Sequence, residues 1–213
     1  MKAGEVVVMD IGASYRGYAA DVTRTVPVSG VYTPAMRDVY QIVRDAQAAA
    51  ERQATLGALA KSMSDSAVVV IAAGLARIGL IESATATYDC GMGTQVQSCP
   101  QYKLYYMHGL GHGIGLDVHD PEQFYLTGKI EPGSAFTIEP GIYVRGNLID
   151  ILSDTPKNRL LKSRIADAVK KYANVGVRIE DDYLADENGV EWVSKAPREI
   201  PEIEALMRRR VAQ

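Results

Sequence analysis

Hydrophobic residues in the first quarter of the chain change from strand-like to helical spacing. The β-branched run Glu5–Met9 and the segment Val22–Val26 are predicted strands, joined through a turn at Gly17 as an antiparallel hairpin. From Thr33, which a proline follows, apolar residues recur every three or four positions until Gly57. This pattern predicts a helix with Thr33 as its N-cap.

The rest of the chain predicts a mixture of further elements. A second helix is expected from about Asp65 to Ile78, and the small, polar residues of segment 83–100 predict irregular structure. The predicted strands Val175–Ile179 and Val190–Val193 flank a turn-forming Glu-Asn-Gly sequence, which indicates a second hairpin. The remaining predicted elements are two strands and two helical segments: Ala135–Ile138, Ile142–Val144, 151–171 and a short helix from Pro201. Together they predict an α/β or α+β class.

Composition narrows the class of protein. The 213 residues predict one domain that spans 1–213, and 47% hydrophobic with 23% charged residues excludes a disordered chain. A net charge of −3 provides no basic stripe for nucleic acid. The longest apolar run, Ala67–Ala73, is too short to cross a bilayer. Because the chain has only Cys90 and Cys99, we expect no disulfide scaffold and, by default, a cytoplasmic location.

The first predicted hairpin can bring two carboxylates together. Asp10 and Asp21 stand eleven positions apart on strands joined by a turn, so both can face one side of the same ladder. Either residue could instead cap a turn, which is the commoner role for aspartate. Asp10, however, ends an otherwise apolar strand, where an unpaired carboxylate is costly to bury, and this favours a shared role.

All three histidines of the chain lie in one glycine-rich stretch that begins after Met107: His108, His112 and His119. Glycine at this density predicts close approach of the backbone to another group rather than a helix. A single histidine is more often a hydrogen-bonded or solvated residue than a ligand, but three within twelve residues weaken that interpretation. Asp117 and Asp120 flank the last histidine and are candidates to orient its ring.

Two glutamates follow short predicted strands in the second half of the chain. Glu139 comes directly after Ala135–Ile138, and Glu180 comes directly after Val175–Ile179. An isolated glutamate at a strand end is usually a surface residue. Here both occupy positions comparable to that of Asp10, at the end of a strand, and this convergence predicts a common site.

The charge of such a site requires compensation by cations. Four carboxylates about 4 Å apart repel one another by about 4 kcal/mol per pair at an effective dielectric constant of 20. Two divalent ions would cancel four carboxylates and leave one neutral imidazole as a fifth ligand. Oxygen-rich ligation with one nitrogen suits Mn²⁺, Co²⁺ or Fe²⁺, and two such ions form a hydrolytic centre. The predicted ligands are Asp10, Asp21, His112, Glu139 and Glu180.

Four segments of the chain contain these residues in a recognisable order: MDIGASYRGYAADVTRT (9–25), MHGLGHGIGLDVHD (107–120), FTIEPGIYV (136–144) and GVRIEDD (176–182). In this order they resemble the creatinase/methionine aminopeptidase family, the pita-bread metallopeptidases. GLDVHD and GVRIEDD are similar to its branch of Xaa-Pro aminopeptidases and prolidases. The resemblance implies an α+β fold of pita-bread type, with a curved antiparallel sheet and flanking helices.

The resemblance also implies how the metal ligands divide. Asp10 would bind one ion, His112 and Glu139 would bind the other, and Asp21 and Glu180 would bridge both. Glu139 would accept the proton of the attacking water. The implied cofactors are two divalent ions, with Mn²⁺ preferred and Co²⁺, Fe²⁺ or Zn²⁺ as alternatives.

Four further residues match family positions that contact the substrate or support the site. His119 would position the substrate and stabilise the tetrahedral intermediate, and His108 would line the substrate pocket. Arg178 and Tyr143 would hold the site through hydrogen bonds. The implied activity is hydrolysis of the N-terminal Xaa-Pro bond in peptides that carry proline at the second position. The alternatives are a prolidase restricted to Xaa-Pro dipeptides and a binding module without catalysis.

Relative to the family pattern, the first residues of this chain align with the middle of a catalytic domain. We therefore expect the N-terminal domain and the first part of the catalytic domain to be missing, and the strands Glu5–Met9 and Val22–Val26 to lack covering helices. Such strands would expose an apolar face. The expected partners are a second copy of the chain, as a homo-oligomer, or the missing N-terminal half.

Overall fold

The computed structural model describes residues 1–91 and 97–208. These residues form eleven β-strands, in chain order: β1 (Val6–Ile11), β2 (Ser14–Tyr15), β3 (Tyr18–Ala19), β4 (Val22–Pro27), β5 (Thr87–Cys90), β6 (Gln97–Pro100), β7 (Ala135–Ile138), β8 (Gly141–Tyr143), β9 (Gly176–Arg178), β10 (Asp181–Asp186) and β11 (Gly189–Trp192). The same residues form a 3-10 turn, Gln101–Leu104, and six helices: α1 (Pro34–Glu51), α2 (Ala60–Arg77), α3 (Phe124–Thr127), α4 (Leu148–Ile151), α5 (Pro156–Tyr172) and α6 (Ile200–Arg208). None of the helices in these ranges is long and apolar enough to span a membrane.

The first hairpin forms as predicted. β1 and β4 pair antiparallel with Asp10 opposite Thr23. Their connection carries a smaller hairpin, β2–β3, whose turn has φ values of 52° at Arg16 and 88° at Gly17. Two positive φ values match the twist of the flanking strands. Asp21 precedes β4 and stands two residues from Thr23, so it lies on the same face of the ladder as Asp10.

The two long helices form a layer against the strands, with boundaries set partly by tertiary packing. The Thr33 side chain accepts a hydrogen bond from the Met36 amide at 3.3 Å and caps α1, as predicted. The helix α2 begins at Ala60, five residues before the predicted start, because Ala60 and Met63 are buried in the core. It ends before Gly79, whose φ of 77° is the left-handed conformation that closes a helix.

The second hairpin forms, but its first strand is not the one predicted. The turn before Gly189 joins β11 to β10, whereas β9 pairs with β8. The prediction of a hairpin between Val175–Ile179 and Val190–Val193 was therefore wrong. The strand β10 was missed because it begins with Asp181 and Asp182, which are charged but buried.

The segment predicted to be irregular contains a hairpin. β5 and β6 pair antiparallel with Tyr88 opposite Cys99, and Cys90 and Cys99 form a disulfide. Residues 92–96 of the predicted segment lie outside the described residues. The prediction failed because the segment has few apolar residues, while its pairing depends on the cross-link and on contacts with α5, where the Asn158 amide donates to the Asp89 carbonyl at 2.9 Å.

Candidate metal centre

Two bent strand pairs bring the glutamates together. β7 pairs with β10, placing Ile138 opposite Asp181, and β8 pairs with β9, placing Gly141 opposite Arg178. Glu139 lies between β7 and β8, and Glu180 lies between β9 and β10. Both glutamates therefore occupy the bend between the two pairs. The Glu180 amide donates to the Thr23 carbonyl at 3.0 Å, which attaches this bend to the first hairpin.

The glycine-rich stretch runs alongside β7 and positions His112. The Thr137 amide donates to the His112 carbonyl at 2.9 Å, and the Glu139 amide donates to the Leu110 carbonyl at 2.8 Å. A Cβ at Gly111 would lie 2.5 Å from the Thr137 carbonyl oxygen, so the segment can approach β7 only with glycine there. The close backbone approach predicted from the glycine density is confirmed at this position.

The imidazole of His112 faces three carboxylates from three elements. His112 Nε2 lies 3.3 Å from Glu139 Oε1, 3.7 Å from Asp21 Oδ2 and 3.9 Å from Glu180 Oε1. Ligand atoms of Asp21, His112 and Glu180 all lie within 4.8 Å of one another. One nitrogen and three carboxylate oxygens therefore converge at distances suited to a shared cation.

The hydrogen bonding of His112 supports a cation at this point. His112 Nδ1 lies 3.0 Å from the Gly113 carbonyl oxygen, which can only accept, so Nδ1 carries the proton. Burial lowers the pKa of His112, which favours the neutral ring. Nε2 then presents a lone pair to carboxylate oxygens, an arrangement that a divalent cation between them would stabilise. The donor set thus fits a divalent metal ion.

Burial also makes the carboxylates difficult to ionise without a cation. The side chain of Glu180 is only 2% exposed, and burial raises its pKa well above the usual range. Burial likewise raises the pKa of Glu139, and that of Asp21, where a hydrogen bond with Asp10 adds to the shift. The sequence predicts metal ions from the repulsion between four carboxylates. Burial adds to that repulsion the cost of removing the same charges from water.

Asp10 is more exposed than the other carboxylates of the site and pairs with an arginine. Its side chain is 51% exposed and forms an ion pair with Arg178. Arg178 Nε also lies 4.0 Å from Glu139 Oε2. Asp10 is thus held at the rim of the site by a cation of the protein itself.

A relay of hydrogen bonds connects Arg178 to His108. Arg178 donates to the Tyr143 hydroxyl oxygen at 3.1 Å, and this hydroxyl lies 2.9 Å from His108 Nε2. His108 Nδ1 lies 2.8 Å from the Gly109 carbonyl oxygen, so Nδ1 carries the proton and Nε2 accepts from Tyr143. The relay fixes the orientation of the His108 ring at the cavity wall.

His119 lies against His112, although its predicted support differs. The two ring centroids are 3.9 Å apart, and the rings are tilted by 31°. The Asp120 carboxylate accepts from the Leu116 amide at 3.0 Å instead of orienting His119, and the Asp117 carbonyl accepts from the Gly115 amide. Both aspartates therefore stabilise the loop backbone, because they accept from the amides of Gly115 and Leu116.

The predicted site residues surround one open cavity of about 470 Å³. Its walls include the following predicted residues: Asp10, Asp21, His108, His112, His119, Glu139, Arg178 and Glu180. Tyr143 joins through its hydrogen bonds to two of them. Glu122 also lines the cavity and was not predicted from the sequence, where it is an ordinary loop glutamate.

Two threonines that the sequence analysis overlooked connect these residues. The Thr23 hydroxyl donates to Glu180 Oε2 at 2.6 Å. The Thr137 hydroxyl accepts from the His112 amide at 3.1 Å and lies 3.3 Å from Glu139 Oε1. Threonine is common in strands, so its presence there indicates no function. Their positions two residues from Asp21 and Glu139 were the only available signal.

A carboxylate-rich cluster with one imidazole, set in an open cavity, is typical of metal-dependent hydrolases. Residues 1–187 match metallopeptidase family M24, and the chain belongs to this family. It is 31% identical over 210 residues to the Xaa-Pro aminopeptidase of Escherichia coli (strain K12), a match that covers 97% of this chain and 42% of that protein. It is 34% identical over 207 residues to the Xaa-Pro aminopeptidase of Haemophilus influenzae, covering 96% and 42%.

Solved structures agree with this family. The structure of aminopeptidase PepP from Pseudomonas aeruginosa gives a TM-score of 0.71 at 34% identity, covering 95% of this chain and 41% of that one. A zinc-substituted E. coli aminopeptidase P in complex with product gives 0.72 at 30% identity, covering 97% and 42%. The predicted α+β fold of pita-bread type is confirmed. The chain spans about 42% of the length of these relatives.

Proposed function

We propose that this chain carries the dinuclear metal centre of an Xaa-Pro aminopeptidase and hydrolyses the N-terminal Xaa-Pro bond of peptides. The observation that carries the proposal is the position of His112 Nε2, which lies within 3.9 Å of three carboxylate oxygens in an open cavity. The names of the relatives supply the substrate class, peptides with proline at the second position.

The five ligands would divide between two ions. His112 and Glu139 would hold one ion, Asp10 would hold the other, and Asp21 and Glu180 would bridge both. Asp10 now pairs with Arg178, so metal binding requires it to exchange or share this partner. The oxygen-rich donor set favours Mn²⁺, with Co²⁺, Fe²⁺ or Zn²⁺ as alternatives.

Divalent ions bound there would act as Lewis acids on the scissile carbonyl and make a water nucleophilic at neutral pH. Glu139 would accept the proton of the attacking water, because its carboxylate lines the cavity with Oε1 3.3 Å from His112 Nε2. The Thr137 hydroxyl, 3.3 Å from Glu139 Oε1, would hold that carboxylate in place.

The histidines at the cavity wall would act on the substrate. His119 is exposed at the mouth of the site and would donate to the oxygen that gains charge in the transition state. His108, held by Tyr143 and Arg178, would line the pocket for the residues around the scissile bond. These groups position and stabilise, and the proton transfer falls to Glu139.

The test is an assay of the chain supplemented with Mn²⁺ on three peptides: Xaa-Pro-Yaa, Xaa-Ala-Yaa and the dipeptide Xaa-Pro. We expect weak cleavage of Xaa-Pro-Yaa alone, abolished by EDTA, because the chain spans about 42% of the length of its relatives. Cleavage of the dipeptide only would indicate a prolidase. Metal binding without cleavage of any peptide would contradict the proposed activity and indicate a binding module.

A further inference from the structure

We propose that Thr23 is a positioning residue that fixes the Glu180 carboxylate at the metal centre. This inference rests on the proposed metal centre and adds a residue that the family motifs do not single out as a ligand. Thr23 lies on β4 opposite Asp10, and its side chain is fully buried. Its hydroxyl oxygen lies 2.6 Å from Glu180 Oε2.

The direction of this hydrogen bond is determined by a second neighbour. Arg178 Nε donates to the Thr23 hydroxyl oxygen at 3.1 Å. Because a guanidinium can only donate and a hydroxyl has one proton, that proton is free for Glu180 Oε2. Thr23 therefore donates to the ionised form of the Glu180 carboxylate, which is the form that binds metal, and its burial shields the bond from exchange with water.

The bond leaves the other Glu180 oxygen directed at the site. With Oε2 held by Thr23, Oε1 lies 3.9 Å from His112 Nε2, among the proposed ligands. The Glu180 amide is held as well, since it donates to the Thr23 carbonyl at 3.0 Å. One residue thus fixes both the backbone and the side chain of a proposed bridging ligand.

Thr23 also connects ligands on opposite sides of the site. Arg178, which donates to Thr23, forms an ion pair with Asp10. A continuous series of contacts therefore runs from Asp10 through Arg178 and Thr23 to Glu180. Loss of the hydroxyl should loosen the bridging ligand directly and the Asp10 side of the site through Arg178. Partners of this kind typically contribute a factor of about 10–100 in metal affinity.

The chain provides a matched control for this test. Thr25 lies two residues along β4 and is also fully buried. Its hydroxyl donates to the Arg178 carbonyl at 2.9 Å and accepts from the Arg178 amide at 3.0 Å. Thr25→Val therefore removes a buried hydroxyl with two hydrogen bonds, as Thr23→Val does, but neither of its bonds reaches a carboxylate.

The experiment measures Mn²⁺ affinity and stoichiometry by isothermal titration calorimetry, with folding checked by circular dichroism. We expect Thr23→Val to weaken Mn²⁺ binding by about 10–100-fold, and Thr23→Ser and Thr25→Val to stay within about threefold of the unaltered chain. Thr23→Ala, which adds no methyl group in place of the hydroxyl, replaces Thr23→Val if that variant does not fold.

Two results would overturn the role of Thr23 while leaving the metal centre intact. One is a Thr23→Val or Thr23→Ala variant that binds Mn²⁺ as tightly as the unaltered chain. The other is an equal loss in Thr25→Val, which would show a general effect on β4. Absence of Mn²⁺ binding by the unaltered chain would instead overturn the proposed metal centre itself, and this role with it.

Discussion

At the scale of single residues, the site combines very different exposures within a few ångströms. Glu180 is 2% exposed, whereas Asp10, a proposed ligand of the same centre, is 51% exposed. Burial raises the pKa of Glu180 and so favours its protonated form without a metal ion, while Asp10 forms an ion pair with Arg178. Metal binding must therefore displace protons on one side of the site and an ion pair on the other.

The raised pKa values of the buried glutamates predict how the stability of the chain depends on pH. Burial raises the folded-state pKa of Glu139 and Glu180 above the unfolded value of about 4.3. The metal-free chain should then lose stability as the pH rises from that value through the folded-state pKa. Mn²⁺ should stabilise the chain more at high pH, because the ligands must be deprotonated. Melting temperatures with EDTA and with Mn²⁺ between pH 5 and 9 would measure both effects.

Glu180→Gln serves as the control for that pH profile. Glutamine does not titrate, so the metal-free profile should become flatter and the stabilisation by Mn²⁺ smaller. A metal-free melting temperature that rises across the same range in the unaltered chain would contradict the role given to burial.

His119 should affect turnover and leave metal binding unchanged. Its ring lies against His112 but is exposed, and it is assigned to the charge that develops in the transition state. His119→Ala should retain both metal ions and lose turnover by a factor on the order of 10²–10³. Elemental analysis beside kinetic assays would separate the two effects. Loss of metal in this variant would make His119 a ligand.

At the scale of elements, the sequence predicts those whose signals are local. The β1–β4 hairpin follows from β-branched runs around a turn, and α1 follows from the cap at Thr33. β10 could not be predicted, because Asp181 is buried only through distant partners. Arg24 donates to the Asp181 carboxylate at 2.5 Å, and Arg198 donates to it at 3.0 Å. No periodicity in the sequence contains this information.

The same distinction applies to the site. The ligand candidates could be predicted because several carboxylates stand at the ends of strands and all three histidines lie in one stretch of the chain. The contributions of Thr23 and Thr137 could not, since they depend on which strands meet. The hydrogen bonds of the described residues also do not show the support predicted for His119 from Asp120, because that carboxylate accepts from the Leu116 amide at 3.0 Å.

The glycine-rich segment provides a test at this scale. A Cβ at Gly111 would lie 2.5 Å from the Thr137 carbonyl oxygen, so Gly111→Ala must push the segment away from β7 and move His112. We expect a loss of about 1–3 kcal/mol in the free energy of unfolding, with weaker Mn²⁺ binding. Denaturant titration and metal titration would measure the two changes.

Gly109→Ala is the matched control. No atom lies within 4 Å of a Cβ at this position, and its backbone does not require glycine. It should change the free energy of unfolding by less than about 0.5 kcal/mol. Equal losses in the two variants would show that crowding against β7 is not what Gly111 avoids.

At the scale of the whole molecule, apolar side chains are exposed at the end of β1 and on the smaller hairpin. The exposure predicted for Val22–Val26 was wrong, because these residues are buried or half-buried. Met9 is 39% exposed and Ile11 is 67% exposed at the end of β1, and Tyr15 and Tyr18 are exposed on the smaller hairpin. Exposed apolar surface beside an unpaired strand edge promotes association with other chains. Homo-oligomerisation therefore stays a prediction. The cytoplasmic location also stays a prediction, and the Cys90–Cys99 disulfide does not support the reducing compartment on which it rests.

Analytical ultracentrifugation can test this association. We expect the sedimentation coefficient of the unaltered chain to rise with concentration, and Ile11→Lys to weaken that rise. Ile11 and Asp10 point to opposite faces of β1, so the substitution leaves the carboxylate in place. A monomer at every concentration in both proteins would contradict the prediction.

In the proposed centre, five side chains from four parts of the chain hold two metal ions. Anomalous diffraction at the manganese edge, from crystals of the chain grown with Mn²⁺, tests this proposal most directly. We expect two peaks roughly 3.5–4 Å apart, within bonding distance of the proposed ligands: Asp10, Asp21, His112, Glu139 and Glu180. A single peak, or peaks bound by other residues, would contradict it.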